Sequence, residues 1–194
     1  MMLSLKNQTD EVLFDLIRKN DVKATAELLN RYKGKFYTAI FLLTKDKYLT
    51  QDIFQEACIK IIQNIRLGKY TEDGKFLPWA MRIARNLAID HIRAAKRAPR
   101  VTLPDGNDIF TILDFKEKNI EDQTMHFQSS KRARMMLDLI PYEQREVIVM
   151  RLYGDLSFKQ IAALTEVSVN TALGRMRYGL LSLRKIADER GILL

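Results

Sequence analysis

Residues 157–176, Ser157-Phe158-Lys159-Gln160-Ile161-Ala162-Ala163-Leu164-Thr165-Glu166-Val167-Ser168-Val169-Asn170-Thr171-Ala172-Leu173-Gly174-Arg175-Met176, read as two helices joined by a tight turn. Ser157 and Ser168 each precede an apolar pattern that repeats at three and four residues, the position where a hydroxyl caps a first helical turn. Thr165-Glu166-Val167 interrupts the pattern between them, which is the spacing of a helix-turn-helix. In the second helix Val169, Ala172, Leu173, Met176, Leu180, Leu183 and Ala187 form one apolar stripe, predicted to be buried. Asn170, Thr171, Gly174, Arg175, Arg177 and Tyr178 are left facing solvent or a partner. From Thr171 to Lys185 the cations are Arg175, Arg177, Arg184 and Lys185, with no acid among them. Such a helix suits the major groove of DNA, its early residues at base edges and its Thr, Arg and Lys on phosphates. Gly174 lets the backbone approach closely. The alternative is a surface helix with a solvated basic side.

Working outward, Pro141 marks the start of the preceding helix, Val147, Ile148, Met150 and Leu152 are its predicted buried side, and Gly154 is its predicted C-cap. Helical periodicity also dominates the first half of the chain. Thr9 is predicted to cap one helix, Asp21 a second running through Leu28, Leu29, Tyr32, Phe36 and Ile40, with Gly34 able to bend it. Thr50 is predicted to cap a third, carrying Ile53, Phe54, Ala57, Ile61, Ile62 and Ile65 and ended by Gly68. Pro78 suits the first turn of a fourth, with Leu77, Met81, Ala84, Leu87, Ala88 and Ile92 as its stripe. No stretch alternates as a strand does, so the fold class is all-α. Between them the pattern fails. Pro99, Pro104 and Gly106 lead into a run bearing Asp105, Asp108, Asp114, Glu117, Glu121 and Asp122 against two lysines, an acidic linker. The expected organisation is a helical domain over 8–97, the linker over 98–130 and a helix-turn-helix domain over 131–190.

Of the 194 residues 47% are hydrophobic, enough for sizeable cores and too many for a disordered chain. Thirty-two Lys and Arg against 24 Asp and Glu leave a formal charge of +8, which makes a polyanionic partner plausible. Cys58, the only cysteine, sits on an apolar helical stripe and reads as a small buried hydrophobe. The early acids Asp10, Glu11 and Asp15 are unlike a secretory signal, and the longest apolar stretch, near Ala39 to Leu43, is far too short for a bilayer. A soluble, cytoplasmic protein that is not membrane-inserted is expected.

In the first domain, Asp52 and Glu56 share a helix face with Gln55 nearby, which admits an acid–base or metal-binding reading. Neither Glu-x-x-His nor His-Glu-x-x-His completes such a site, His91 and His126 are isolated, and no glycine-rich phosphate loop occurs. No cofactor or metal is expected. The fourth helix and its flank interleave Trp79 with Arg82, Arg85, Asn86, Arg93, Lys96, Arg97 and Arg100, groups that can stack on an unpaired base and neutralise its backbone. Trp79 can equally pack beneath its own helix.

Three stretches carry a family resemblance. Ile140-Pro141-Tyr142-Glu143-Gln144-Arg145-Glu146-Val147, Leu156-Ser157-Phe158-Lys159-Gln160-Ile161-Ala162 and Ser168-Val169-Asn170-Thr171 resemble region four of bacterial sigma factors. Asp52-Ile53-Phe54-Gln55-Glu56-Ala57 resembles region 2.2, and the run from Phe76 to Arg93 resembles regions 2.3 and 2.4 of the extracytoplasmic-function group, whose members have two domains and a linker. The resemblance implies a promoter-specificity subunit of RNA polymerase, a sigma region 2-like bundle followed by a sigma region 4-like domain, that makes and breaks no bond itself. It implies docking of Asp52, Phe54, Gln55 and Glu56 on the beta-prime clamp helices, and of the second domain on the beta flap. It assigns Lys69, Tyr70, Trp79, Arg82, Arg85, Asn86, Arg93 and Arg97 to the minus-10 element, with the loop at 69–75 capturing a flipped base. It assigns Asn170, Thr171, Gly174, Arg175, Arg177 and Tyr178 to the minus-35 element, and it implies an anti-sigma factor as a further partner. The linker is either a soluble tether or a nucleic-acid mimic threading towards the polymerase active site. The chain departs from the family's pattern at Gln160, where Glu is usual, and at Leu173, Gly174 and Tyr178, where basic or hydroxylated residues are usual. Two other readings follow from the residues alone: a stand-alone helix-turn-helix regulator, and a metal-dependent hydrolase using Asp52 and Glu56.

Overall fold

Local side-chain chemistry sets where most of the helices begin. The computed structural model describes residues 5–70, 75–97 and 135–191, and every regular element among them is helical. A 3-10 turn, Leu5–Asn7, leads to α1 (Asp10–Arg18), α2 (Val22–Thr44), α3 (Lys47–Arg66) and α4 (Phe76–Arg97). The second group is α5 (Tyr142–Leu152), α6 (Phe158–Thr165) and α7 (Val169–Glu189). The linker expected over 98–130 lies outside the described residues.

Asp21 caps α2 by accepting from the Ala24 N–H at 2.9 Å. Thr9 holds the N-cap position of α1 without a side-chain cap bond. The predicted cap of α3 is corrected: the helix starts one turn earlier, where Asp46 accepts from the Leu49 N–H at 2.9 Å. Thr50 is instead fully buried, its hydroxyl satisfied by Asp46 O at 2.5 Å and Thr44 Oγ1 at 2.8 Å. Asp46 starts the helix because its carboxylate accepts an N–H three residues on, which leaves Thr50 inside the helix with its hydroxyl on the carbonyl four residues back. Gly34 leaves α2 as one unbroken helix of 23 residues. Gly68 follows α3 in the left-handed region, φ 66°, as its glycine allows.

α1 to α4 form a bundle in which α2 touches each of the other three. Leu13, Phe14, Ile17, Leu28, Phe36, Ile40, Leu42, Ile53, Ile61, Ile65 and Met81 are among its fully or almost fully buried large side chains. In the second group α7 packs on both α5 and α6. The first stripe predicted on α7 needs correction: Ala172 and Ala187 are buried, but Val169, Leu173 and Leu180 are over 40% exposed. Gly179 takes the buried contact, because a Cβ there would lie 2.8 Å from Ile148 Cδ1 and 3.2 Å from Gln144 Cβ. α7 and α5 thus approach more closely than any side chain permits.

α5 is buried on more than one face. Glu146, Val147, Ile148, Val149 and Met150 are all buried, and five consecutive helical residues span more than a full turn. One side of α5 meets α6 and α7, the other meets α2, so both helical groups share one continuous apolar core. Leu152, predicted to be buried with them, is 58% exposed at the helix end. The prediction that Gly154 is the C-cap of α5 is also corrected, since Tyr153 caps it and Asp155 takes the left-handed backbone. A Cβ on Gly154 would stand 2.6 Å from Leu156 Cδ1, 2.8 Å from Met150 O and 2.8 Å from Met81 Cγ on α4. Gly154 is needed for contact between the two groups.

Candidate nucleic-acid interface

The turn between α6 and α7 is built by two serine caps. Ser157 Oγ accepts from the Gln160 N–H at 3.3 Å while Gln160 Oε1 accepts from the Ser157 N–H at 2.8 Å, a reciprocal capping box. Gln160 therefore fills the structural role that a glutamate would, because the box needs only an acceptor oxygen. Glu166 ends α6 with φ 56°, and Ser168 Oγ accepts from the Thr171 N–H at 3.0 Å to start α7. The first turns of α7 expose Asn170, Thr171, Arg177 and Tyr178, with Gly174 and Arg175 half-buried beside them. Beside this face runs an apolar groove of about 440 Å³, lined by Phe158, Leu173, Met176, Leu180 and Leu181 and edged by Arg177 and Arg184.

On α4, Arg82 is half-buried while Asn86 and Arg93 are exposed; the Arg97 side chain lies outside the described residues. Tyr70 is buried against Phe14, Phe76 and Trp79, with ring centroids 4.5 Å apart for the Tyr70–Trp79 pair. Trp79 does two jobs. It is half-buried with its ring packed on Tyr70 and Phe76, and it also lines a polar cleft of about 290 Å³ with Lys69, Tyr70, Lys75, Pro78, Arg82 and Gln160. Of the residues grouped for one DNA element, Lys69, Tyr70, Trp79 and Arg82 converge on this cleft, while Asn86 and Arg93 are exposed elsewhere on α4 and Arg85 is engaged by the other helical group. The Arg85 guanidinium turns away and grips Glu146 of α5, Nη2 at 2.6 Å and Nε at 2.8 Å from Oε1, both side chains almost fully buried.

The remaining predicted group lies on α3. Asp52 and Gln55 are exposed, and Phe54, T-stacked on Tyr37 at 5.8 Å, lines an apolar groove of about 410 Å³ with Leu29, Asn30, Lys33, Gln55, Cys58 and Ile59. Glu56 pairs with Lys60 at 2.9 Å and faces His91 at 3.6 Å. The hydrogen bond from Lys60 first, then the charges of Lys60 and His91, hold its carboxyl below the ordinary range. A carboxylate stabilised in its charged form is a poor general acid. Cys58 is only half-buried, and burial pushes its thiol up to about 11.

Residues 28–98 match the profile of sigma-70 region 2, and residues 130–176 that of sigma-70 region 4. The chain belongs to the extracytoplasmic-function group of the sigma-70 family. This sigma factor is 29% identical to the ECF RNA polymerase sigma factor SigW of Bacillus subtilis over 175 residues, 87% of this chain and 91% of that one. It is 27% identical to the RNA polymerase sigma-H factor of Pseudomonas aeruginosa over 180 residues, covering 89% and 90% of the two chains. Its fold is similar to that of CnrH in complex with the cytosolic domain of CnrY, with a TM-score of 0.60 at 18% identity over 94% of this chain and 99% of that one. It is similar also to the sigma factor RpoE in complex with the anti-sigma factor NepR from Bartonella quintana, TM-score 0.59 at 15% identity, covering 86% and 98%.

Three contributors were not legible beforehand. Glu146 precedes four apolar residues, Val147 to Met150, and an acid in such a run is itself a signal of a buried partner. Gln160 reaches the cleft of α4 only through tertiary packing. Gly179 was masked by the leucines around it.

Proposed function

We propose that this sigma factor docks on core RNA polymerase through the Phe54 groove of α3 and brings it to promoters read at two elements. Gln55, Asn30 and Lys33 edge the groove, Asp52 and Glu56 lie elsewhere on α3, and an apolar centre with a polar edge suits a helix of another protein. Arg82, Asn86, Arg93 and Arg97, with Lys69, Tyr70 and Trp79, engage the minus-10 element, where the cleft beside Trp79 accepts an unstacked base. The single observation that carries this reading is that cleft, which sets the rings of Tyr70 and Trp79 beside the cations Lys69, Lys75 and Arg82, with Pro78 and Gln160 completing its lining. Asn170, Thr171, Gly174, Arg175, Arg177 and Tyr178 of α7 read the minus-35 element from the major groove. The functional units run over 8–97 and 131–190 with the acidic linker of 98–130 between them. Melting draws on binding energy alone, so the chain is not an enzyme, and it works in the cytoplasm beside the polymerase. An anti-sigma factor is a partner by analogy with relatives solved as such complexes. Purified chain added to core polymerase should give promoter-dependent transcripts. Failure to associate with core overturns the reading.

A further inference from the structure

In the major groove a base pair offers hydrogen-bond donors and acceptors and one apolar group, the C5-methyl of thymine. The first two turns of α7 carry a side chain that can use only the last of these. Leu173 is 43% exposed, although its spacing with Val169 and Met176 is that of a core residue. Residues three, four and seven apart share a helix face, so Leu173 and Gly174 stand between Asn170 and Arg177. Asn170 and Arg177 are exposed, and nothing lies within 4 Å of the place a Cβ on Gly174 would take. The glycine leaves Leu173 projecting beside bare backbone and lets that backbone approach a partner closely. We propose that Leu173 is a specificity-determining residue of this sigma factor, packing on a thymine methyl in the minus-35 element and so selecting an A·T pair there. The proposal rests on the sigma-factor reading above and names the base that its minus-35 face prefers.

Leucine neither donates nor accepts a hydrogen bond. Over guanine or cytosine it covers polar atoms that water would otherwise bond, and it gains no apolar contact in return. Over thymine it removes two apolar surfaces from water together. Its neighbours do different work: Thr171 and Arg177 suit phosphates, contacts that set register and carry no base information. Leu180 and Leu181 are exposed as well, but they lie past the first two turns, beyond the part of a recognition helix that meets base edges. Leu173 also lines the groove shared with Phe158, Met176, Leu180 and Leu181, so a contact with another protein is the competing use of the same side chain.

The full-length chain with core polymerase, offered a duplex library randomised across the minus-35 stretch, should enrich sequences in which thymine is fixed at one position or more. Replacing such a thymine by deoxyuridine removes only the methyl. At one of these positions it should weaken binding about fourfold, the transfer free energy of one buried carbon group expressed as a ratio. Leu173→Ala should bind the thymine and uracil duplexes equally, whereas Arg177→Ala should weaken both and keep the ratio. Leu173→Arg should move the enriched base from thymine to guanine, which arginine reads at O6 and N7. The uracil ratio of the native chain needs no variant, so it decides even where a substitution disturbs folding. Equal native affinity for thymine and uracil at every minus-35 position overturns the assignment, and so does a Leu173→Ala chain that still separates the two. Uracil-blind native binding together with weaker binding of Leu173→Ala to core polymerase overturns it in favour of the protein contact. Enrichment of no sequence at all overturns instead the promoter-reading function on which the proposal rests.

Discussion

Gly174 and Gly179 lie in the same helix, one turn and a half apart, and their replacement by alanine should have different outcomes. A methyl at 174 meets no atom within 4 Å, whereas at 179 it would stand 2.8 Å from Ile148 Cδ1 and 3.2 Å from Gln144 Cβ. Glycine-to-alanine in a helix interior contributes about 1 kcal/mol through backbone entropy. Gly174→Ala should therefore stabilise the chain by ~0.5–1 kcal/mol. At 179 the same gain meets an overpacking cost of ~1–3 kcal/mol, because Ile148, 1% exposed, must shift within a packed core and Gln144 Cβ, close to its backbone, must give as well. The net at 179 is a loss of up to ~2 kcal/mol, and the two variants should differ by ~1–3 kcal/mol. Urea unfolding of the intact chain, followed by far-ultraviolet circular dichroism with the denaturant slope unchanged, measures both. Gly179→Ala gaining as much stability as Gly174→Ala would refute the close approach of α5 and α7.

Arg177, exposed on α7, should on replacement by alanine weaken promoter binding and reduce the salt slope of the binding constant by about one unit; an unchanged slope and affinity removes it from the interface. Phe54→Ala should raise the dissociation constant for core polymerase by roughly tenfold or more, as loss of a central aromatic anchor does, without lowering the thermal midpoint by many degrees. Equal affinity for core would place the docking surface elsewhere. Cys58, with its thiol raised to about 11, should alkylate slowly at pH 8, where about one molecule in a thousand is thiolate. Its thiolate fraction, and with it the rate of modification by iodoacetamide, should climb about tenfold per pH unit until near pH 11; a plateau below pH 9 contradicts the burial.

The contrast between Ser168 and Glu146 shows what kind of information each level holds. Ser168 acts on an N–H three residues away, so its cap, like those of Ser157 and Asp21, was legible from adjacent residues. The same locality made the helix-turn-helix, the Trp79 helix and the Phe54 stretch readable, and with them the family and the order of its regions. Thr50 failed as a cap for a local reason too, because Asp46 competes for the same role one turn earlier. The α7 stripe failed for a tertiary one: periodicity names the apolar face, but the neighbours decide how much of it is covered, and Gly179 lets α5 sit off that stripe.

By itself, then, the sequence determined the helices, their order and the family they belong to, since capping, periodicity and charge act over a few residues. Only the tertiary structure decided that α5 is buried on both sides, that Trp79 packs and lines a cleft together, and that Arg85 faces Glu146 across 61 positions of chain. Those outcomes depend on which surfaces meet, and a contact between residues so far apart leaves no period or spacing in the chain for a reader to find.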